Sequence, residues 1–167
     1  MERANKHMEI YILRHGEAED LRPGLADQDR KLTPKGQRDT RAVAKVALRA
    51  RDTPQLILTS PLRRAQETAA IAAEVMGCKR VKQTLALLPD ASPDEIWKEL
   101  CREPALEAAM VVGHEPHLGI LTAYLLEAHV RVKVKKAAMI KISAGGRQGT
   151  PRGELLWMLV PSLVRRG

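Results

Sequence analysis

Three short stretches of the chain place chemistry-bearing side chains directly after an apolar run. Arg14-His15-Gly16 follows "EIYIL" (9–13), Ser60-Pro61-Leu62-Arg63-Arg64 follows "QLILT" (55–59), and Gly113-His114-Glu115 closes "AMVVG" (109–113). A guanidinium forks onto two oxygens of a phosphate and never loses its charge near neutrality. A neutral imidazole offers a nitrogen lone pair that can attack phosphorus. Arginines and histidines gathered in one pocket would therefore suit phosphoryl transfer, which depends mostly on positioning and electrostatics and here requires no metal. Taken singly, each stretch has a bland explanation: a lone histidine is more often a satisfied core or surface residue, and Arg63 with Arg64 reads as a solvated helix face. The chemical reading needs all three delivered to one place.

The flanking sequence supplies that delivery. The three runs are short, apolar and bounded by turn or charge signals, as parallel strands buried on both faces should be. Thr33-Pro34 and Ser60-Pro61 each pair an N-cap oxygen with proline at the first helical position. Ser92-Pro93-Asp94-Glu95 adds the reciprocal glutamate of a capping box. These starts predict helices near 34–50, 61–76 and 93–101, with another near 116–127. A short strand before "LLPDASP" is also expected. The runs "AAMIKIS" and "ELLWMLV" flank a Gly-rich "SAGGRQGTPRG" turn and read as a late hairpin, one strand of which lies antiparallel on the sheet. The alternation predicts a three-layer α/β/α sandwich with a mostly parallel central sheet and an antiparallel edge strand. In such sheets a ligand binds outside the carboxyl ends of the strands, where Arg14, His15, Arg64 and His114 would converge. Gly16 and Gly113 would let backbone approach the ligand closely.

Composition narrows the classes. The 167 residues fit one domain, drawn at 8–162 with tails at 1–7 and 163–167; 44% are hydrophobic and 29% charged, as in an ordinary globular protein. No apolar run approaches the roughly 18 residues a membrane span needs, and the N-terminus has no apolar signal core, so a cytoplasmic monomer without a membrane partner is expected. Cys78 and Cys101 form neither a CxxC nor a Cys/His cluster, which argues against zinc or a redox pair. The net charge of +8 invites a nucleic-acid reading. Only 2% of residues are aromatic and phenylalanine is absent, so a base-stacking platform is hard to build. The charge reads instead as attraction for anionic substrates or acidic partners. Its densest run, "RVKVKK" (131–136), fits either a docking face for an acidic domain or an edge strand guarded by lysines.

The order and wording of these segments resemble the histidine phosphatase superfamily. "LRHGE" matches its nucleophile motif, "TSPLRRAQETA" its second phosphate-binding motif of the form S-x-x-x-R-A-x-x-T, and "VVGHEP" its third. With "LTPKG" at 32–36, the chain looks like the small SixA-like phosphohistidine phosphatases, over roughly Met8 to Val160. The resemblance implies a phosphoglycerate-mutase-like fold and no cofactor. It also implies that His15 is the nucleophile, with Arg14, Arg64 and His114 forming the phosphate pocket. Arg64 rather than Arg63 stands four residues after Ser60 and directly before Ala65. For the proton donor Glu115 ranks ahead of Glu17 and Asp90.

The motif departs from mutase-like relatives, which continue as RHG-E-[ST]-x-x-N; Ala18 and Leu21 stand here instead. The short span from Gly16 to Pro34 leaves little chain for an enclosing lid. An open pocket suits a phosphorylated protein, with Arg30 as a candidate substrate contact. The leading expectation is a metal-independent phosphatase acting on phosphohistidine in a signalling protein, through a phosphohistidine intermediate. A phosphomonoesterase for small molecules or nucleotides is the alternative, and a non-catalytic basic phosphate-binding module the third.

Overall fold

The computed structural model describes residues 6–51 and 53–164. Among the described residues six strands and five α-helices follow in the order β1 (Met8–Arg14), α1 (Pro34–Leu48), β2 (Leu56–Thr59), α2 (Arg63–Met76), β3 (Val81–Gln83), α3 (Pro93–Cys101), β4 (Ala108–Gly113), α4 (His117–Leu125), β5 (Met139–Gly145), β6 (Arg152–Leu159) and α5 (Pro161–Val164). The sheet order is β3-β2-β4-β1-β5-β6. The first four of these strands run parallel, and β5 lies antiparallel to both β1 and β6. The antiparallel strand therefore sits one place in from the edge, because the short hairpin turn brings its partner β6 back outside it.

Side-chain alternation along β1 divides the core into two layers. Ile10 and Ile12 face one layer with Ile96, Trp97, Leu100, Leu118 and Leu121, so α3 and α4 cover that face. Tyr11 and Leu13 face the other with Val43, Ala44, Ala65, Ala69 and Ala72, so α1 and α2 cover that one. Alanines dominate the α2 stripe, which lets this helix lie close to the sheet. Strands β1 and β4 are shielded on both sides, which is why they read as continuous apolar runs rather than alternating ones. The α3 layer is further tied to the hairpin turn: the Trp97 indole N–H donates to the Gly149 carbonyl at 2.8 Å.

Several local expectations are corrected. Helix α2 begins at Arg63 with Leu62 in the N-cap position, so Ser60-Pro61 is not its cap. The Ser60 hydroxyl is committed elsewhere, as described below. The capping box at Ser92 does not form: that hydroxyl bonds the Asp94 carboxylate instead, and Ser92 makes no side-chain cap. "RVKVKK" is not an edge strand but irregular chain leading into β5, with Val134 fully buried. Helix α5 crosses the boundary drawn at residue 162 and packs on α1. Most of the N-terminal tail, and Arg165 and Arg166, lie outside the described residues.

Candidate functional site

Parallel pairing in register does the positioning. Arg14 stands opposite Gly113 in the β1–β4 ladder, and Thr59 opposite Val112 in the β2–β4 ladder. All three strands therefore end at the same level, and the next residues, His15, Ser60 and His114, come together. The His15 and His114 rings lie 5.2 Å apart between centroids. Both side chains are almost completely buried, as is Arg64.

The tautomer of His15 follows from its partner. Its Nδ1 lies 2.7 Å from the Gly16 carbonyl oxygen; a carbonyl only accepts, so Nδ1 carries the proton and Nε2 carries the lone pair. Burial pushes the imidazole pKa down to about 4, helped by the nearby charges of Arg64, Arg14 and Lys136. His15 is therefore neutral at physiological pH. His114 shares a 2.7 Å hydrogen bond with the Ser60 hydroxyl through Nε2. Burial, and then the neighbouring His15 and Arg64, push its pKa down to about 3. Its Nδ1 is buried and has no hydrogen-bond partner.

The two arginines are aimed by carbonyls. Arg14 donates from Nη1 to the Val134 carbonyl at 3.0 Å. Arg64 donates from Nη1 to the Asp27 carbonyl at 2.9 Å and from Nη2 to the Asp27 carboxylate at 3.2 Å. The Nε of each is buried and unpartnered. Two guanidinium donors and an imidazole nitrogen are thus left over around a neutral histidine. Buried polar atoms without partners are uncommon in folded proteins, and several around one pocket point to a polar ligand. Arg14, Arg64 and His114 suit a tetrahedral oxyanion.

The turn that carries His15 is locked from both sides. The Gly16 N–H donates to the Thr68 hydroxyl at 3.1 Å, and that hydroxyl donates to the Arg64 carbonyl at 2.7 Å. One threonine thus ties the His15-Gly16 turn to the helix that bears Arg64, which gives the last position of the S-x-x-x-R-A-x-x-T motif its purpose. Gly16 owes its identity to packing rather than to ligand approach: a Cβ there would lie 2.6 Å from the Gly36 carbonyl oxygen and 2.9 Å from Thr40 Oγ1.

The remaining sequence candidates separate clearly. Arg63 is exposed and pairs with Glu67 one turn along at 3.1 Å. Arg30 donates from Nε to the Glu19 carbonyl at 2.6 Å and from Nη1 to the Asp27 carboxylate at 2.9 Å, so it braces the loop that aims Arg64. Glu17 accepts from the Thr33 hydroxyl at 2.9 Å and lies 3.6 Å from Lys35. The Thr33 bond above all, then Lys35, lowers its pKa, which keeps it a carboxylate and makes it a poor proton donor. Asp90 lies exposed in the turn before α3. Glu115 borders the pocket: its Oε1 accepts from Gly119 N–H at 2.8 Å, and its charge acts on Arg14, opposing the desolvation that lowers the guanidinium pKa.

Asp27 and the Val134 carbonyl escaped the sequence reading. Neither carries a local signal, since each acts across a large sequence separation. Among the described residues no cluster of three or more histidine, cysteine or acidic side chains could hold a metal ion, and no helix is long and apolar enough to cross a membrane.

Comparison with known proteins agrees with the fold. Residues 10–87 match the family model of the histidine phosphatase superfamily, branch 1. An uncharacterised protein of Picosynechococcus is 38% identical over 144 residues, covering 83% of this chain and 86% of that one. The phosphohistidine phosphatase SixA of Escherichia coli is 22% identical over 160 residues, covering 92% and 94%. Among solved structures, the protein histidine phosphatase SixA complexed with tungstate superposes with a TM-score of 0.86 at 21% identity, covering 94% of this chain and 99% of that one. A mycobacterial glucosyl-3-phosphoglycerate phosphatase gives 0.69 at 20% identity, covering 89% and 97%. The chain belongs to the histidine phosphatase superfamily.

Proposed function

We propose that the chain is a phosphohistidine phosphatase acting on a phosphorylated signalling protein, with His15 as nucleophile. The observation that carries the reading is the set of unpartnered buried nitrogens, Arg14 Nε, Arg64 Nε and His114 Nδ1, around a His15 whose Nδ1 bond to Gly16 leaves Nε2 with its lone pair. In the first step Nε2 forms a bond to phosphorus while the substrate's P–N bond breaks, and the leaving imidazole takes a proton. In the second step water attacks phosphorus, the P–Nε2 bond breaks with its electron pair returning to His15, and the water gives up a proton. Arg14 and Arg64 balance charge on the phosphoryl oxygens throughout. Glu115, whose charge acts on Arg14, is the carboxyl group we assign to give and then take the proton, and an imidazole leaving group needs less help from it than an alkoxide would.

A protein substrate is favoured over a small phosphoester by the loop between Gly16 and Pro34. Asp27 and Arg30 bind each other, and Asp27 also binds Arg64, so this loop braces the site instead of folding over it. The likeness to SixA of Escherichia coli, a phosphohistidine phosphatase, supports the same substrate class.

The test is single-turnover incubation with a phosphohistidine-bearing protein alongside an aryl phosphate, using native chain and His15→Ala. Fast, His15-dependent loss of phosphohistidine with slow ester hydrolysis is the expected result. Rapid ester turnover with phosphohistidine untouched would move the chain to the phosphomonoesterase class. No turnover of either would favour a phosphate-binding module.

A further inference from the structure

Three residues other than glycine adopt left-handed backbone among the described residues: Arg51, Glu127 and Ala137. The first two follow the ends of α1 and α4, where that conformation is an ordinary way to stop a helix. Ala137 follows no helix. It has φ 57° and is completely buried, in a turn closed by Ala138 N–H donating to the Lys135 carbonyl at 2.9 Å. A turn that needs positive φ at its third position ordinarily takes glycine or asparagine. An alanine held there requires surroundings that determine it, and such strain clusters at functional sites.

Those surroundings are the nucleophile turn itself. Ala137 N–H donates to the His15 carbonyl at 3.1 Å, and Arg14 N–H donates to the Ala138 carbonyl at the same distance. The Val134 carbonyl receives the Arg14 guanidinium at 3.0 Å. Residues 134–138 are thus fixed by backbone to both residues of the Arg14-His15 pair. Lys136 stands at the tip of this turn with its side chain exposed, and among the described residues it makes no ion pair. Its charge nonetheless acts on both His15 and Glu17. Glu17 is already engaged by Thr33 and Lys35, so pairing with it does not explain the lysine.

We infer that Lys136 is a third cation of the phosphoryl site beside Arg14 and Arg64, contacting a phosphoryl oxygen of the bound group from its open side, where Arg14, Arg64 and His114 do not reach. This rests on the phosphatase reading only in locating the phosphoryl group beside His15. The strained turn places the lysine; its free ammonium on a flexible stem follows the phosphoryl group as it moves from substrate to His15 and then to water.

The test uses binding of inorganic phosphate to the full chain by calorimetry, together with KM and kcat for a phosphohistidine-bearing protein. Lys136→Met keeps the stem and removes the charge. It is expected to weaken phosphate binding about tenfold, as loss of one charge-assisted contact would, with Lys136→Arg returning to within about twofold. Glu17→Gln should leave that tenfold difference in place; if it abolishes the difference, Lys136 acts only by orienting Glu17 and the assignment fails. Binding measured on His15→Ala separates this inference from the catalytic one. Phosphate binding that depends on Lys136 supports it even if no phosphoester is turned over, and phosphate binding indifferent to Lys136 overturns it even if turnover depends on His15.

Discussion

The two ends of the central sheet differ in a way that separates space from chemistry. At the end where β1 begins, a cavity of about 650 Å³ is lined by His7, Gly145, Gln148, Thr150 and Glu154. Its polar neighbours are mostly engaged by the protein: His7 shares a hydrogen bond with Ser143 at 3.2 Å, and Arg147 in the adjoining turn donates to the carbonyls of Glu103, Pro104 and Leu106, with only its Nε buried and unpartnered. At the opposite end Arg14, Arg64 and His114 each keep a buried nitrogen without a partner, with the His15 ring 5.2 Å from that of His114. Arg147 resembles Arg64 in burying a guanidinium against backbone carbonyls. Each leaves its Nε buried and unpartnered, but Arg147 stands alone in its turn, whereas Arg64 shares its end of the sheet with Arg14, His114 and a neutral His15. What marks a site here is convergence of unspent nitrogens on one histidine.

The sharpest way to break this comparison is to remove His15, the proposed nucleophile. His15→Ala is expected to lower single-turnover release of phosphate at least about a thousandfold, while thermal melting shows the fold retained. Persisting fast, chain-dependent turnover would mean that another group attacks phosphorus. The arginines come next. Arg64→Ala should cost about 10²–10³ in kcat/KM, the usual scale for one preorganised donor. Arg147→Ala should leave kcat/KM within about twofold and lower the melting temperature instead. Equal kinetic losses for both would erase the distinction between the two ends.

The balance of what was legible follows from the same contrast. The strand ends could be read because each presents its chemistry within a few residues: Arg14-His15-Gly16 sits at the end of β1, and Gly113-His114-Glu115 at the end of β4. The α/β alternation was legible for a related reason, since double-sided burial makes β1 and β4 continuous apolar runs. Ser60 misled because its serine-proline pair imitates a helix start, whereas its hydroxyl is taken by His114. "RVKVKK" misled because alternating valines imitate a strand. Here Val134 is buried and its carbonyl accepts from the Arg14 guanidinium, and residues 131–136 form no strand. Asp27 reaches Arg64 across 37 positions, a contact that no local pattern announces.

Proton binding offers a third test, with a smaller effect. Burial holds His15 near about 4 and His114 near about 3, against an ordinary value of about 6.5 in the unfolded chain. Between those limits the unfolded state binds more protons, so stability rises with pH. It is fully present above about 6.5 and is lost as pH falls toward 4. His15→Gln should flatten that dependence by about 1–3 kcal/mol in denaturant unfolding at pH 4 to 7. A native profile that is already flat there would mean that His15 is not held neutral. The acid limb of kcat/KM should likewise fall near 4 rather than near 6.5.

The smallest effect sharpens the comparison most, because it concerns a residue that touches the site only through others. Arg30 bonds Asp27 at 2.9 Å, and Asp27 in turn bonds Arg64 at 3.2 Å. If Arg30 acts as a brace, Arg30→Ala loosens Asp27 and lets Arg64 sample other rotamers. The loss should then be about three- to fivefold in kcat with KM nearly unchanged, and Asp27→Asn should produce a similar loss that Arg30→Ala does not deepen, as expected for residues acting in one chain of contacts. If Arg30 instead contacts the substrate, the loss falls on KM for the phosphoprotein, exceeds tenfold and adds to that of Asp27→Asn. The first pattern would make the loop at this end a frame for the site, comparable to what Arg147 does for the hairpin turn at the other. The second would make it a recognition surface, and the two ends would then differ in their loops as well as in their free donors.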